Sequence, residues 1–473
     1  MRQLTEKFSS ISKEQTFRFD VDFLEHQNTK HLTTYYNFNG LFSFAQNVKV
    51  DSKNIEGNFL YCEIGDVSKN GDIAPIELNY ENRNELNENY FQKIDKGDIA
   101  KCSNDEILIS KVRPYLKKII FITEDNKDIF YTSAFLRIVP KKIPKLLYYC
   151  FRTVFFESLL SISRQGKGYP TLSEKDFLSL KFNKVAVDYL IKNEASILSK
   201  IEPIEQEIKV LKAQVIPSQE IINQVFAKTF GFDYEAFKKL KKIKNYNLGF
   251  SMFASNIDIR QSVKFHREAA EFVLVELKKH TTKKIKHFIS EPIVLGKGIS
   301  PAEYDDNGDF VYLAMSNIKN WQFEMDEARG VTNTFSKNNP NKRVAIDDII
   351  MARSGEGTIG KVALIEDEDL QGIFADFTMR IRLNNYDPRF AYYYFRTSYF
   401  QYLIEINKKG LGNNTNIFPS QIQEFPLIDI TLEQQQVVVN EIRNEIDRQN
   451  VFRQVIDDKR HEIDQIIEQS IPT

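Results

Sequence analysis

The chain has 473 residues, too many for a single hydrophobic core and enough for two to four domains. Its 42% hydrophobic and 27% charged content is that of a globular protein, and no run of about twenty apolar residues is present to span a bilayer. Basic and acidic side chains nearly cancel, 64 against 65, so a nucleic-acid partner requires a local basic surface.

In chain order, the N-terminal stretch MRQLTEKFSSISKEQTFRFD carries no apolar secretory segment. Cys62, Cys102 and Cys150 form no CxxC pair. The expectation is a protein of the reducing cytoplasm with no structural zinc and no membrane contact. Short β-branched and aromatic runs broken by Gly, Asn and Asp turns read as strands in the first part of the chain. Among them are Phe59-Leu-Tyr-Cys-Glu-Ile-Gly-Asp66 and Asp105-Glu-Ile-Leu-Ile-Ser-Lys111. An aromatic helix follows, with Tyr-Tyr-Cys-Phe-Arg-Thr at Tyr148–Thr153, and then a loop holding Gly166-Lys-Gly168.

A long helix comes next, with Ile191, Leu198, Ile201, Ile208, Leu211 and Val215 at three-, four- or seven-residue steps. Pro203 and Pro217 each remove a helical hydrogen bond, so a kink or break is expected at both. The basic run from Phe237 to Lys244 reads as a solvated linker face rather than a nucleic-acid contact.

The whole series then recurs in order. Phe310-Val-Tyr-Leu-Ala-Met-Ser-Asn317, Asp347-Asp-Ile-Ile-Met-Ala-Arg353 and Met379-Arg-Ile381 match Phe59–Asp66, Asp105–Lys111 and Leu136-Arg-Ile138. Tyr-Tyr-Tyr-Phe-Arg-Thr at Tyr392–Thr397 and Gly410-Leu-Gly412 match the hexapeptide and glycine pair; Arg260–Phe265 matches Arg18–Phe23. The chain is therefore two copies of a unit of roughly 240 residues, far longer than a solenoid repeat. Thr431 is placed to cap a second long helix, with Glu433 in its first turn and Val438, Ile442, Ile446, Phe452, Val455, Ile463 and Ile467 on one side. A forty-residue helix is about 60 Å long. No small domain buries such a stripe, so the two long helices are expected to pack together as an antiparallel coiled coil.

This α+β arrangement, two duplicated strand-rich domains separated by two long helices, resembles the specificity (S) subunit of Type I restriction-modification systems. Local signatures add to the likeness: Arg353-Ser-Gly-Glu-Gly-Thr-Ile-Gly-Lys-Val-Ala-Leu364, the tyrosine-rich helix before Phe-Arg-Thr, and Pro419-Ser-Gln-Ile-Gln-Glu-Phe-Pro426. The proline-broken first helix and the long Phe230–Asp258 connection depart from the plainest pattern of that family. The resemblance implies a first target recognition domain at 1–184, a spacer helix at 185–228 and a linker at 229–258. A second recognition domain follows at 259–429 and a second spacer helix at 430–473. Each recognition domain would read one half of a split site in double-stranded DNA, with the helices setting the gap and docking two methyltransferase subunits. Restriction and translocase subunits join in larger assemblies. S-adenosylmethionine, ATP and Mg are then cofactors of partner subunits, with none in this chain. A Type II recognition subunit that cuts both sides of its site, or a duplicated protein scaffold, are the alternatives.

No catalytic set accompanies this reading. Gly355-Glu-Gly-Thr-Ile-Gly-Lys-Val362 has the letters of a kinase glycine loop, but HRD and DFG motifs are missing. There is no GxxxxGK[ST] loop, no Asn/Asp-Pro-Pro-Tyr methyltransferase motif and no HExxH among the six histidines. The candidate residues are therefore DNA contacts. Cations at matching strand ends would hold phosphate: Lys111, Arg113, Lys117 and Lys118 in the first copy, Arg353 and Lys361 in the second, with Ser354 and Thr358 in the glycine turn. The loops after the aromatic helices would approach bases, through Arg164, Gln165 and Lys167 and through Lys408, Lys409, Asn413, Asn414 and Thr415. The repeated hexapeptide itself reads as core, with Arg152 and Arg396 anchoring a nearby carboxylate or carbonyl.

Overall fold

The structure, a computed structural model, describes residues 34–46, 50–51, 54–83, 88–165, 169–243, 247, 249, 251, 263–325, 328–355, 357–410 and 415–471. The matched openings at 18–23 and 260–262 lie outside them. Contacts divide the chain into two units: Met1–Gln214 with Phe452–Thr473, and Val215–Val451.

In unit 1 the two larger sheets are built from β1 (Phe42–Phe44), β2 (Asn58–Cys62), β3 (Ile76–Asn79), β4 (Ala100–Lys101), β5 (Ile107–Ser110), β6 (Ile119–Phe121), β7 (Phe130–Tyr131) and β8 (Phe135–Pro140). They form one sheet of order β1-β8-β5-β6 and another of order β3-β2-β7-β4. The first is antiparallel, and the second contains the parallel pair β2–β7. All four residues of β5 are buried, which is why Ile-Leu-Ile is unbroken rather than alternating. Helices α1 (Pro144–Arg152), α2 (Phe156–Ser161) and α3 (Lys184–Gln214) follow.

Unit 2 begins with α4 (Ser218–Phe230), α5 (Tyr234–Lys242) and α6 (Glu268–Lys278). Its strands β9 (Val294–Leu295), β10 (Phe310–Leu313), β11 (Arg329–Val331), β12 (Ile349–Ala352), β13 (Val362–Leu364), β14 (Gly372–Phe374) and β15 (Thr378–Ile381) make sheets of order β9-β15-β12-β13 and β11-β10-β14. The second sheet again holds one parallel pair, β10–β14. Helices α7 (Pro388–Arg396), α8 (Ser398–Asn407) and α9 (Leu432–Gln469) complete the chain.

Segments matched in sequence occupy matched positions. Ile107 pairs with Ile138 across β5–β8, and Ile349 pairs with Ile381 across β12–β15. Asp105 and Asp347, each at the turn into the central strand, are both left-handed, at φ 66° and 68°. The hexapeptides lie in α1 and α7, which each open on a proline whose fixed φ suits the first turn. Tyr149, Cys150, Phe151 and Arg152 are buried in one, and Tyr393, Tyr394, Phe395 and Arg396 in the other. Arg152 donates to the Lys69 carbonyl at 3.2 Å. Arg396 donates instead to hydroxyls, those of Tyr392 at 2.9 Å and Ser218 at 3.4 Å, where a carboxylate or carbonyl was expected.

The first long helix is broken once, not twice. Pro203 lies inside α3 without ending it, whereas Pro217 caps α4 and separates the two pieces at 215–217. Pro203 is exposed, as is Ser199, whose carbonyl loses its helical partner and is left to water. On the opposite side Ile201, Ile204 and Ile208 are buried, and their burial outweighs the proline penalty of about 3 kcal/mol. Helix α9 is continuous over 38 residues and starts with a reciprocal cap: Thr431 Oγ1 accepts from the Gln434 amide, and Gln434 Oε1 accepts from the Thr431 amide. Its partners run in reverse order. Lys228 at the end of α4 pairs with Glu441, the Ile216 amide donates to Gln449 Oε1, and Glu207 of α3 pairs with Lys459. The packing is antiparallel, as the stripes required. Gln449 is buried and supplies the acceptor for an amide freed by the break at Pro217.

Part of the 229–258 connection is folded. Phe232 and Phe237 enter the core of unit 2 with Tyr399 and Tyr402, while Lys239, Lys241 and Lys242 lie on the exposed side of α5. Among the described residues no helix is long and apolar enough to cross a membrane.

Candidate nucleic-acid interface

Each unit brings its two candidate loops together by the same backbone bonds. After β5, the Lys111 amide donates to the Ala134 carbonyl and the Lys111 carbonyl accepts from the Leu172 amide at 2.8 Å. After β12, the Arg353 amide donates to the Phe377 carbonyl and the Arg353 carbonyl accepts from the Ile417 amide at 2.9 Å. Two further bridges, Val112 with Thr171 and Ser354 with Asn416, extend the pairing by one residue. The end of the central strand is thus joined to the segment that returns from the post-helix loop.

In unit 1 the turn after β5 is built without glycine. Arg113 and Lys117 adopt left-handed φ of 51° and 55° around the turn Pro114–Leu116. Arg113 is exposed, its amide donates to the Pro170 carbonyl at 2.9 Å, and its guanidinium lies over the Tyr169 ring at 5.4 Å. Lys111 Nζ donates to the Ser133 carbonyl. Lys118 Nζ donates to the Ile64 carbonyl at 2.7 Å, and burial holds its ammonium below the usual lysine range. Burial lowers Lys117 as well, with Asp464 partly opposing and Arg152 adding to the effect. Arg164 donates to the buried carboxylate of Asp176 at 2.5 Å. The backbone of Gln165 pairs with Pro170, while the Gln165 side chain and Lys167 lie outside the described residues.

In unit 2 the turn is glycine-built, with Gly355, Gly357 and Gly360 at φ 84°, 81° and 82°. A Cβ on Gly360 would stand 2.9 Å from Ile404 Cγ2, so the turn lies hard against α8. Thr358 Oγ1 donates to the Ser354 carbonyl, and Ser354 Oγ donates to the Thr415 carbonyl. Ser354 and Thr415 are buried and fix the loop from within. Arg353 donates to the Asp376 carbonyl and to Asn416 Oδ1, and its guanidinium lies over Phe377 at 5.7 Å. Lys361 is half-buried, and its carbonyl accepts from the Ala352 amide. Lys408 pairs with Glu405 at 2.9 Å, while Lys409 is exposed and pairs through its backbone with Asn416. Asn413 and Asn414 lie outside the described residues.

Sequence reasoning missed three features of these junctions. Lys297, exposed in a Gly-Lys-Gly loop, bridges to Ala375 beside the Arg353 turn. Tyr115 with Tyr169, and Phe377 with Phe418, are exposed rings at the two junctions. The only signal for the rings was an aromatic standing inside a polar or glycine-bearing turn.

For catalysis the described residues offer little. They hold no cluster of three or more His, Cys, Asp or Glu able to bind a metal. Burial pushes the Cys62 and Cys102 thiols up to about 12, the wrong direction for a nucleophile.

No protein-family model matches the chain, and no curated protein matches it. Solved structures do align with it over most of its length. A chain from work on the complex assembly and conformational transition of the type I R-M system is 13% identical, over 92% of this chain and 97% of that one, with a TM-score of 0.39. The HsdS subunit from Thermoanaerobacter tengcongensis is 12% identical, over 93% and 96%, at 0.34. The Type-I restriction-modification system S subunit from M. genitalium is 12% identical, over 94% and 98%, at 0.38.

Proposed function

We propose that the chain is a non-catalytic DNA-specificity subunit of a Type I restriction-modification complex, each unit reading one half of a split site. The observation that carries this reading is the repeated junction. The same backbone bonds hold it in both units, while the residues it displays differ. A fixed frame with variable loops suits two readers of two different sequences.

Roles divide among the candidate residues. Arg113, Lys111, Arg353, Lys361 and Lys409 contact phosphate and edges of bases. Lys117, Lys118, Arg164 and Lys408 hold the loops: burial takes water from the first two, and the carboxylates of Asp176 and Glu405 pair with the others. Lys167, Asn413 and Asn414 belong to the loops between these fixed points and complete the base contacts. The paired long helices separate the two half-sites and dock two methyltransferase subunits, which bring S-adenosylmethionine; ATP and Mg belong to restriction and translocase partners.

Co-expression with the neighbouring methyltransferase subunit, followed by single-molecule mapping of N6-methyladenine in the host genome, tests the reading. Methylation at a split motif with a fixed gap, lost when this chain is omitted, is the expected outcome. A folded complex that leaves the genome unmethylated would favour a protein scaffold and defeat the proposal.

A further inference from the structure

We propose that each unit also presents an arginine-backed pair of rings to the faces of bases: Tyr115 and Tyr169 around Arg113, and Phe377 and Phe418 around Arg353. This rests on the DNA reading above and assigns the rings the task of opening a base step within each half-site.

The chain has 37 Phe and 21 Tyr, and nearly all of those described are covered. Among the described residues the exposed rings are Tyr35, Tyr115, Tyr169, Tyr189, Phe377 and Phe418. Four of them stand at the two loop junctions. Apolar rings at loop tips cost solvation in the free protein, and their concentration at the loop junction of both copies, though not at matched positions, marks a contact surface.

Their backbones are pinned. Phe377 accepts from the Arg353 amide at 3.0 Å. Phe418 follows Ile417, which is bonded to Arg353, and its own amide donates to Gln421 Oε1. Tyr169 precedes Pro170, the acceptor for the Arg113 amide, and Tyr115 follows Pro114 in the adjacent turn. Arg113 lies over the Tyr169 ring and Arg353 over the Phe377 ring, so one ring of each pair is backed by a guanidinium. The rings are thus exposed side chains on a fixed backbone.

Chemistry selects what they meet. Phe377 and Phe418 have no polar atom and cannot read a base edge, so they contribute only a π-face. Exposed cations beside them, Arg113 in one unit and Lys297 and Lys409 in the other, suit a polyanion rather than an apolar protein groove. Apolar wedges of this kind part a base step and bend the duplex, and stacking on a base tolerates any sequence. The rings therefore supply affinity and distortion, and the polar loop residues supply specificity.

The test uses the whole chain in complex with its methyltransferase subunit. The probe is a duplex bearing the mapped motif, with 2-aminopurine in one half-site or the other. The wild-type complex should raise the fluorescence in each half. Tyr115→Ala with Tyr169→Ala should abolish the rise in one half only, and Phe377→Ala with Phe418→Ala in the other half only. Binding should weaken by about 10-fold per ring lost. Tyr35→Ala, which removes an exposed ring away from both junctions, should bind as wild type and guards against a non-specific effect of losing an exposed ring. Ring variants with unchanged affinity and fluorescence would overturn the inference while leaving DNA recognition intact. Variants that lose the methyltransferase subunit instead of DNA would overturn it too. A wild-type complex that does not bind the duplex removes the DNA reading itself, before any variant is made.

Discussion

In unit 1 the turn after the central strand is made by Arg113 and Lys117, two side-chain-bearing residues in left-handed conformation around a proline. In unit 2 the equivalent turn is made by Gly355, Gly357 and Gly360, all at φ above 80°. Yet the bonds that enclose the two turns are the same, from the strand-end carbonyl to the amides of Leu172 and Ile417. The frame persists while the means of turning has been exchanged. A glycine motif in one copy therefore says nothing about phosphate chemistry that the other copy must share. What both copies keep is the geometry that sets a variable loop on a fixed strand end.

Buried charge shows the same exchange, and it offers the largest test. Leu108 of β5 stands opposite Arg137, and Ile350 of β12 stands opposite Arg380. Arg137 forms a bidentate pair with Glu106, at 2.9 Å for both contacts. Arg380 turns instead to Glu291 and the Arg343 carbonyl, and Asp348 is taken by Arg382. The Arg137 and Glu106 side chains are 9% and 4% exposed, whereas Arg382 is 34% exposed. Glu106→Ala strands a buried guanidinium and should cost about 3–5 kcal/mol in chemical denaturation. Asp348→Ala should cost only about 1–3 kcal/mol, because Arg382 can rehydrate and the main loss is the bond from the Ala345 amide. Equal losses in the two variants would mean that burial does not govern the difference.

The turns give the next effect. Gly360→Val places a side chain against Ile404 at a left-handed φ and should cost about 2–3 kcal/mol. Gly357 has the same φ but open space around it, so Gly357→Ala should cost about 1 kcal/mol. Melting curves of the two variants separate packing from conformational strain. If both fall equally, the turn is not braced on α8.

These contrasts also mark what could be read without coordinates. The duplication was legible because Ile107–Ser110 and Ile349–Ala352 are runs buried throughout, and because the hexapeptides must be covered in both copies. The α+β class and the antiparallel long helices followed from apolar spacing, a local property. The left-handed Arg113 and Lys117 left no trace, since neither residue type advertises positive φ. Nor could sequence reveal that Lys118 reaches Ile64, or that Lys408 is spent on Glu405 inside its own fold. Cations that looked alike as letters part here, Arg113 exposed and Lys117, Lys118 and Lys408 half-buried, because burial is set by the packing of the whole unit. Pro203 leaves α3 unbroken for a related reason: its penalty is local, but the stripe that overrides it is not.

The smallest effect concerns how unit 1 holds its helices. The Asp72 loop is tied to both: Lys212 of α3 and Arg460 of α9 each pair with its carboxylate, and Asn70 donates to Asp457 at 3.1 Å. Burial alone would raise the Asp72 carboxyl, but the Lys212 and Arg460 charges hold it below the ordinary 3.8. A carboxylate depressed by folding adds stability at pH above its unfolded value and loses it as the pH falls through the folded one. Wild type should therefore exceed Asp72→Asn at neutral pH, and the two curves should converge as the pH drops below 3.8. The Asp72 side chain is 39% exposed, so the gap should be about 1 kcal/mol or less and should shrink further near 1 M salt. A gap that survives both acid and salt would assign the anchor to the shape of the loop and its Asn70–Asp457 bond, not to charge.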